Sequence, residues 1–479
     1  MSRPLNALSQ TPPPRRVDRV LLLALDGMRA DMLSAEATPH LWRLAGRGHR
    51  FTAARSVFPS YTRVCTASVM TGAPPSVHGV VGNAFHHACA GMAPLFLDRF
   101  ADLQRVVAAD GRAILAPRLD EVLRDAGLRF GAVNGNSAGT AALMLPDPAA
   151  GGHWLFNPHG RDSAAHPEAW DTVVARFGAP PPAAVPLLDR TTWLGRVFAE
   201  QVLAAEDPDV ALLWLAEPDT SMHYRGLGHA DTLAALRIAD AAVGLALETV
   251  ERLGRADRTA VIAFSDHGQI GCPDQAAVPD AWAAIGIARQ PGPGVLATAT
   301  PGRCGGILLT PEARDAGSLP RLVAALQARP EIGMLFGRDA MPGVLPYAAV
   351  GLDHPRAPDL VYVLAHGPGG GWTAAGDVPP GGGMHGGLHA GEVSNLLLLA
   401  LPDGVAAERP APAGLIDIAP TALSLLGIAP PATMRGRDLA AADPAWTTHR
   451  YEAAADGFAQ WVEVAEAGAG YVIEGGRLA

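Results

Sequence analysis

The chain has 479 residues, 49% hydrophobic and 18% charged, the make-up of a globular protein with one large domain or two medium ones; a fibrous, low-complexity or disordered chain is excluded. A formal net charge of −10 with no block of like charge lacks the electrostatic footprint of a protein that binds a nucleic-acid polymer or an anionic membrane, and favours a small-molecule partner. All 37 basic residues are arginine, which excludes the lysine-dependent chemistry of P-loop ATPases, protein kinases and pyridoxal-phosphate enzymes.

Met1 to Asp18 holds Pro12, Pro13, Pro14, Arg15 and Arg16 but no apolar core of a secretory signal. Cys65, Cys89, Cys272 and Cys304 are dispersed, with no C-x-x-C pair, and read as reduced thiols. Both features predict a cytoplasmic protein. Val20 to Leu25 is apolar but far too short to span a bilayer, so it reads as a buried strand ending at Asp26-Gly27. A helical pattern covers Thr38 to Arg47. Next comes Phe58-Pro59-Ser60-Tyr61-Thr62-Arg63-Val64-Cys65, in which a loop enters a helix at Thr62. At that position a hydroxyl is either a plain N-cap or a nucleophile at the positive end of the helix dipole. Leu119 to Ala126 and Thr191 to Ala205 are helical patterns, Val210 to Ala216 is a strand before Asp219, and Asp231 to Leu253 is a long amphipathic helix. Ala260 to Phe264 is a strand before Asp266.

From Gly271 to Gly383 the rhythm breaks into Pro- and Gly-rich sequence, with strands at Gly306 to Leu309 and Leu360 to Leu364 and a helix at Leu319 to Ala328. Residues 271–383 therefore read as a cap subdomain inserted into a catalytic domain of residues 18–445. The core resumes at His385, continues through a strand at Asn395 to Leu401 before Asp403, and closes with a helix over Leu415 to Gly427. Residues 446–479 form a C-terminal tail. Apolar strands alternating with helices predict an α/β fold, a mostly parallel sheet covered on both faces, with ligands bound beyond the carboxyl ends of its strands.

Asp26, Asp219, Asp266 and their neighbours His223 and His267 fall at such ends, and His385 joins them. Asp219 and His223, four residues apart on a turn or helix, point to one place. Carboxylates with imidazoles suit zinc, and manganese or iron less tightly, and six such side chains are enough for two open sites. His229, His78, His86 and His87 read as structural or solvated. Trp154, Phe156 and Tyr224 are candidates for a pocket wall, though such aromatic residues more often pack in the core.

The chain resembles the alkaline phosphatase superfamily, specifically its nucleotide pyrophosphatase/phosphodiesterase branch and the related phosphonoacetate hydrolases. The matching pieces run in order: Leu25-Asp26-Gly27, Phe58-Pro59-Ser60-Tyr61-Thr62, Thr71-Gly72, Ser76-Val77-His78-Gly79, Gly82-Asn83, Glu217-Pro218-Asp219 through His223, Ser265-Asp266-His267-Gly268, Met384-His385-Gly386-Gly387 and Asp417 to Thr421. The resemblance implies two zinc ions, one held by Asp219, His223 and His385, the other by Asp26, Asp266, His267 and the Thr62 oxygen. It implies a threonine nucleophile at Thr62 and a hydrogen bond from Asn83 to a phosphoryl oxygen, beside the backbone N–H after the nucleophile. His385 fits the last ligand position better than His389, which is left as a residue that supports a ligand. Where relatives often carry an aromatic residue after the nucleophile, this chain has Arg63, which suits a second anionic group on the substrate. The expected substrate is a small phosphodiester or nucleotide pyrophosphate. The alternatives are hydrolysis of a carbon–phosphorus bond, as in phosphonoacetate hydrolases, and a non-catalytic binding homologue.

Overall fold

The computed structural model describes residues 13–163, 166–467 and 470–478. Residues 1–12, most of the segment read for a secretory signal, lie outside the described residues. Eight strands make the central sheet: β1 (Arg19–Leu25), β2 (His49–Phe51), β3 (Phe130–Asn134), β4 (Trp154–Phe156), β5 (Val210–Leu215), β6 (Thr259–Phe264), β7 (Leu397–Ala400) and β8 (Ala407–Arg409). Their order across the sheet is β8-β2-β7-β6-β1-β5-β3-β4, and only β7 runs against its neighbours.

The unbroken apolar run of β1 follows from burial on both faces. Val20, Leu22 and Ala24 enter one core with Cys65, Val69 and Met70 of helix α1 (Thr62–Thr71). Leu21, Leu23 and Leu25 enter the other, with Leu236, Ala239 and Val243 of helix α3 (Ala230–Arg252), which follows the short helix α2 (Asp219–Arg225). Leu22 and Leu23 are wholly buried, so truncating either to alanine costs about 2–5 kcal/mol. Helix α1 stops at Gly72, whose φ of +57° and a would-be Cβ 2.9 Å from Pro420 Cδ admit only glycine.

The direction of β7 corrects one expectation drawn from strand ends. Asn395, not Asp403, lies at the end of this strand nearest the carboxyl ends of β1 and β6, because β7 is antiparallel to β6. The helix expected over Thr191 to Ala205 begins at Leu188 and passes at Phe198 into a wider π-helical stretch ending at Glu206.

Between β6 and β7 the chain builds a second sheet of six strands, in the order Ile287–Ala288, Ala297–Ala299, Cys304–Leu309, Leu360–Leu364, Ile332–Gly337, Leu345–Pro346, with its own apolar core around Trp282 and Tyr362. The C-terminal residues form a three-stranded antiparallel meander, Thr447–Ala455, Phe458–Glu466 and Gly470–Arg477. Gln460 pins it to the second sheet by accepting from Leu335 N–H at 2.9 Å and donating to Leu335 O at 2.8 Å. No helix among the described residues is long and apolar enough to cross a membrane.

Candidate active site

Strands β5, β1 and β6 lie side by side, with Leu25 opposite Leu215 and Ala24 opposite Phe264, so their carboxyl ends are level. Asp26 directly follows β1, Asp266 follows β6 and Asp219 opens α2; three carboxylates from distant parts of the sequence thereby meet at one edge. The approach is close enough to need glycine beside it. Gly27 has φ +70°, and a Cβ there would lie 2.9 Å from Asp219 Cβ.

Four atoms converge from β1, β6 and α1. His267 Nε2 is 3.4 Å from Asp26 Oδ1, 3.3 Å from Asp266 Oδ2 and 3.2 Å from Thr62 Oγ1. Asp26, Asp266 and His267 have no exposure to solvent. The other carboxylate oxygens are spoken for: Asp26 Oδ2 accepts from Trp214 Nε1–H at 3.0 Å and Asn136 Nδ2–H at 2.7 Å, and Asp266 Oδ1 accepts from the N–H groups of Gly27 and His267. Asp26 Oδ1 and Asp266 Oδ2 have no hydrogen-bond partner. Two buried carboxyl oxygens left bare, facing an imidazole nitrogen and a hydroxyl, have the donor chemistry of a candidate cation site.

A second group adjoins it. Asp219 Oδ2 is 3.2 Å from His223 Nε2, and Asp219 Oδ1 is 3.7 Å from His385 Nε2. His223 donates Nδ1–H to Gly383 O at 2.7 Å, His385 to Ser60 O at 2.7 Å and His267 to Gly268 O at 3.0 Å. Each imidazole thus turns Nε2 toward the carboxylates, where it can serve as a lone-pair donor once free of its proton. Asp26, Asp266 and His267 form one candidate metal-binding group, and Asp219, His267 and His385 another. Their shared His267 places the two groups in contact, and its ring stacks on His385 with centroids 3.5 Å apart.

The electrostatics show how much positive charge this edge lacks. Burial, reinforced by Asp266 and Asp219, pushes the Asp26 carboxyl well above its ordinary range, and burial pushes Asp266 up to about 7. Burial alone would raise Asp219 too, but the charge and hydrogen bond of His223, then His385, hold it below the ordinary range. His223 rises to about 9, because Asp219 and the Gly383 carbonyl outweigh its burial. His385 falls below its ordinary value through burial and the neighbouring His267.

Thr62 is the first residue of α1. Tyr61 occupies the N-cap position, and the Thr62 hydroxyl faces His267, which disposes of the plain N-cap reading. Asn83 Oδ1 accepts the Arg63 backbone N–H at 3.1 Å, so the Asn83 amide sits beside the nucleophile candidate. Arg63 Nη2 donates to Ser137 Oγ at 3.2 Å, while its buried Nε has no partner. Arg63 and Asn83 line a cavity of about 180 Å³ with Tyr61, Phe85, Phe96 and Met384.

Several expected participants stand elsewhere. Trp154 and Phe156 stack in the core, Phe156 also against Trp170, and Tyr224 is 49% exposed. His389 caps the helix Ala390–Val393, accepting from Gly391 N–H, and packs edge-on against His366. His229, which caps α3, and His78, buried against Ser68, have the structural roles expected of them. Sequence reasoning missed Trp214, Asn136 and Gln269, which donates to Asp219. Asn136 follows an apolar run, Phe130 to Val133, whose strand-then-turn form was the available signal; Trp214 inside β5 offered none.

Two comparisons bear on this geometry. Residues 20–387 match the family described as type I phosphodiesterase / nucleotide pyrophosphatase. Among solved structures, murine ectonucleotide pyrophosphatase / phosphodiesterase 5 superposes with a TM-score of 0.61 at 17% identity, and its inactive variant in complex with AMP with 0.62 at 17%. Each alignment covers 86% of this chain and 96% of the murine one. The fold is that of the alkaline phosphatase superfamily, and the chain belongs to the type I phosphodiesterase/nucleotide pyrophosphatase family of phosphohydrolases.

Proposed function

We propose that this protein hydrolyses small phosphodiesters or nucleotide pyrophosphates by transferring the phosphoryl group first to Thr62 and then to water, with two zinc ions as cofactors. The observation that carries the reading is the convergence of Thr62 Oγ1, His267 Nε2 and the two unpartnered oxygens of Asp26 and Asp266. Asp26, Asp266, His267 and Thr62 would hold one ion; Asp219, His223 and His385 would hold the other. Zinc, when bound there, stabilises negative charge developing on phosphoryl oxygens and lowers the pKa of an oxygen it touches.

The protein's own groups do the rest. Thr62 presents Oγ1 at the N-terminus of a ten-residue helix, whose dipole favours an anionic phosphoryl group. Attack by Oγ1 forms a phosphorus–oxygen bond to Thr62 as the bond to the leaving group breaks, the Oγ1 proton passing through solvent to the leaving oxygen; water then attacks phosphorus, and its proton returns to the released Thr62 oxygen. Asn83 and the Arg63 N–H, now bonded to each other, turn toward a non-bridging phosphoryl oxygen and fill the role of an oxyanion hole. Burial of Asp26, Asp266 and His267 keeps bulk water from this side of the substrate.

Arg63 lines the cavity beside Thr62 with an unpartnered Nε, which favours a substrate carrying a second anionic group. That feature supports carbon–phosphorus hydrolysis of a carboxylated phosphonate as the second reading. The murine structure with AMP adds nucleotides to the candidates. The test is a panel of a simple phosphodiester, a nucleotide pyrophosphate, a phosphomonoester, phosphonoacetate and a sulfate ester at equal zinc loading. Fastest turnover of the diester or pyrophosphate, with negligible sulfatase activity, is expected. Turnover confined to phosphonoacetate would replace the first reading with the second.

A further inference from the structure

Away from the phosphoryl-transfer site, a second nucleophile stands beside a base that a third group orients. Of the four free cysteines, Cys65, Cys272 and Cys304 are buried and Cys89 is exposed. Cys89 lies in the turn joining the strands Ala84–His86 and Pro94–Phe96. Its Sγ is 3.1 Å from His87 Nδ1, and its backbone N–H donates to the same nitrogen at 3.3 Å. A backbone N–H only donates, so Nδ1 carries the lone pair and the ring proton sits on Nε2. Nε2–H donates to Asp110 Oδ2 at 3.0 Å. Asp110 is fixed in turn by Arg356, which donates to it from Nε at 3.2 Å and also from Nη2, and which ties Nη1 to Ala113 O. The His87 side chain is only 7% exposed and meets the edge of Phe85, so the imidazole is held toward the thiol.

The three groups have the relation of an activated nucleophile: a thiol, a neutral imidazole with its lone pair toward the sulfur, and a carboxylate that fixes the tautomer and supports the imidazolium. We propose that Cys89 is a covalent modification site, a thiol that His87 and Asp110 activate for exchange with small soluble disulfides. His87 Nδ1 takes the Sγ proton, and the thiolate sulfur bonds to one sulfur of the disulfide as the disulfide bond breaks. The departing thiolate takes the proton back from His87. The products are a mixed disulfide on Cys89 and one free thiol, with the small disulfide supplying the oxidising equivalents. The strand Ala84–His86 that precedes the Cys89 turn contributes Phe85 and His86 to the cavity that Arg63 and Asn83 line, so the modification falls next to an element that shapes that cavity.

The experiment incubates the full-length protein with excess glutathione disulfide near neutral pH and follows adducts by intact mass and peptide mapping. One adduct on Cys89 is expected, absent in Cys89→Ser. It forms at least about tenfold faster than on the same cysteine in a synthetic peptide of residues 85–93, and at least about tenfold faster than in His87→Gln. Circular dichroism reports whether His87→Gln is folded, and the peptide reference decides the matter without that variant. A rate on Cys89 equal to the peptide's, or unchanged in folded His87→Gln, would overturn the proposal and leave an ordinary exposed thiol.

Discussion

Two buried charge clusters meet at the loop from His385 to Glu392, and they are built on opposite plans. In the first, Asp26, Asp219 and Asp266 face three imidazoles, and two carboxylate oxygens have no partner. In the second, Arg303 and Glu392, both wholly buried, close on each other through Nε–Oε1 at 2.6 Å and Nη2–Oε2 at 2.9 Å. Gly387 N–H and His389 N–H complete the carboxylate, and Arg303 Nη1 donates to Trp372 O at 2.7 Å. Burial would raise the Glu392 carboxyl, yet the charge and hydrogen bonds of Arg303 keep it below its ordinary value. The complete cluster is a clamp that ties the second sheet to the turn carrying His385. The incomplete one leaves two carboxyl oxygens without a partner, which suits a cation.

If that contrast is right, breaking each cluster has a different signature. The largest effect is on chemistry: Thr62→Ala removes the oxygen proposed to attack and is expected to lose turnover to the limit of detection, while circular dichroism and bound zinc stay near wild type because the carboxylates and imidazoles remain. Asn83→Ala lowers the rate by roughly 10²–10³-fold, read in steady-state kinetics with the preferred substrate. Unfolding titrations separate the clusters themselves. Glu392→Ala strands the Arg303 charge in the core and costs about 3–5 kcal/mol. Asp266→Asn, by contrast, removes a carboxylate that burial and then the Asp219 charge disfavour, so the metal-free protein is expected to be no less stable while its zinc affinity falls.

The pH dependence sharpens the same point. The Asp266 carboxyl in the folded, metal-free chain is pushed from 3.8 up to about 7, so its proton is held more tightly in the native than in the unfolded state. Its contribution to stability is present at low pH and is lost as pH rises from about 4 to about 7. Zinc must displace that proton, so zinc affinity runs the other way, rising over this interval; calorimetry on metal-free protein reads both. The smallest effect belongs to Arg63→Ala, expected to weaken substrates with a second anionic group by about tenfold and to spare simple diesters. Equal weakening across the panel would deny Arg63 a part in selectivity.

Much of this architecture was legible because it is local. Val20 to Leu25, Val210 to Ala216 and Ala260 to Phe264 each announce a two-face-buried strand, and the aspartates after them mark the productive edge of a parallel sheet. Strand direction was not legible: Asn395 to Leu401 has the same apolar form as the others but runs antiparallel, which carries Asp403 away from the site. The C-terminal meander was missed because its alternation is masked by charged and alanine residues, and its fixings, such as Gln460 to Leu335 and Tyr471 to Asp417, span long sequence distances. Trp214 and Asn136 bond Asp26 across 188 and 110 residues, so the pairing was hidden for the same reason, even though the strand-then-turn form marked Asn136 itself. The metal-group candidates, each an aspartate or histidine at a strand end or loop, were recognisable; what sequence could not show is that the cluster leaves two oxygens bare.

The most direct test of the account is an acid quench of the zinc-loaded enzyme during turnover of its preferred phosphodiester, followed by peptide mass mapping. One phosphoryl group on Thr62 is expected, absent before substrate is added and absent in Thr62→Ala. Steady turnover with no phosphoryl group on any residue, or with the group on a residue other than Thr62, would contradict it.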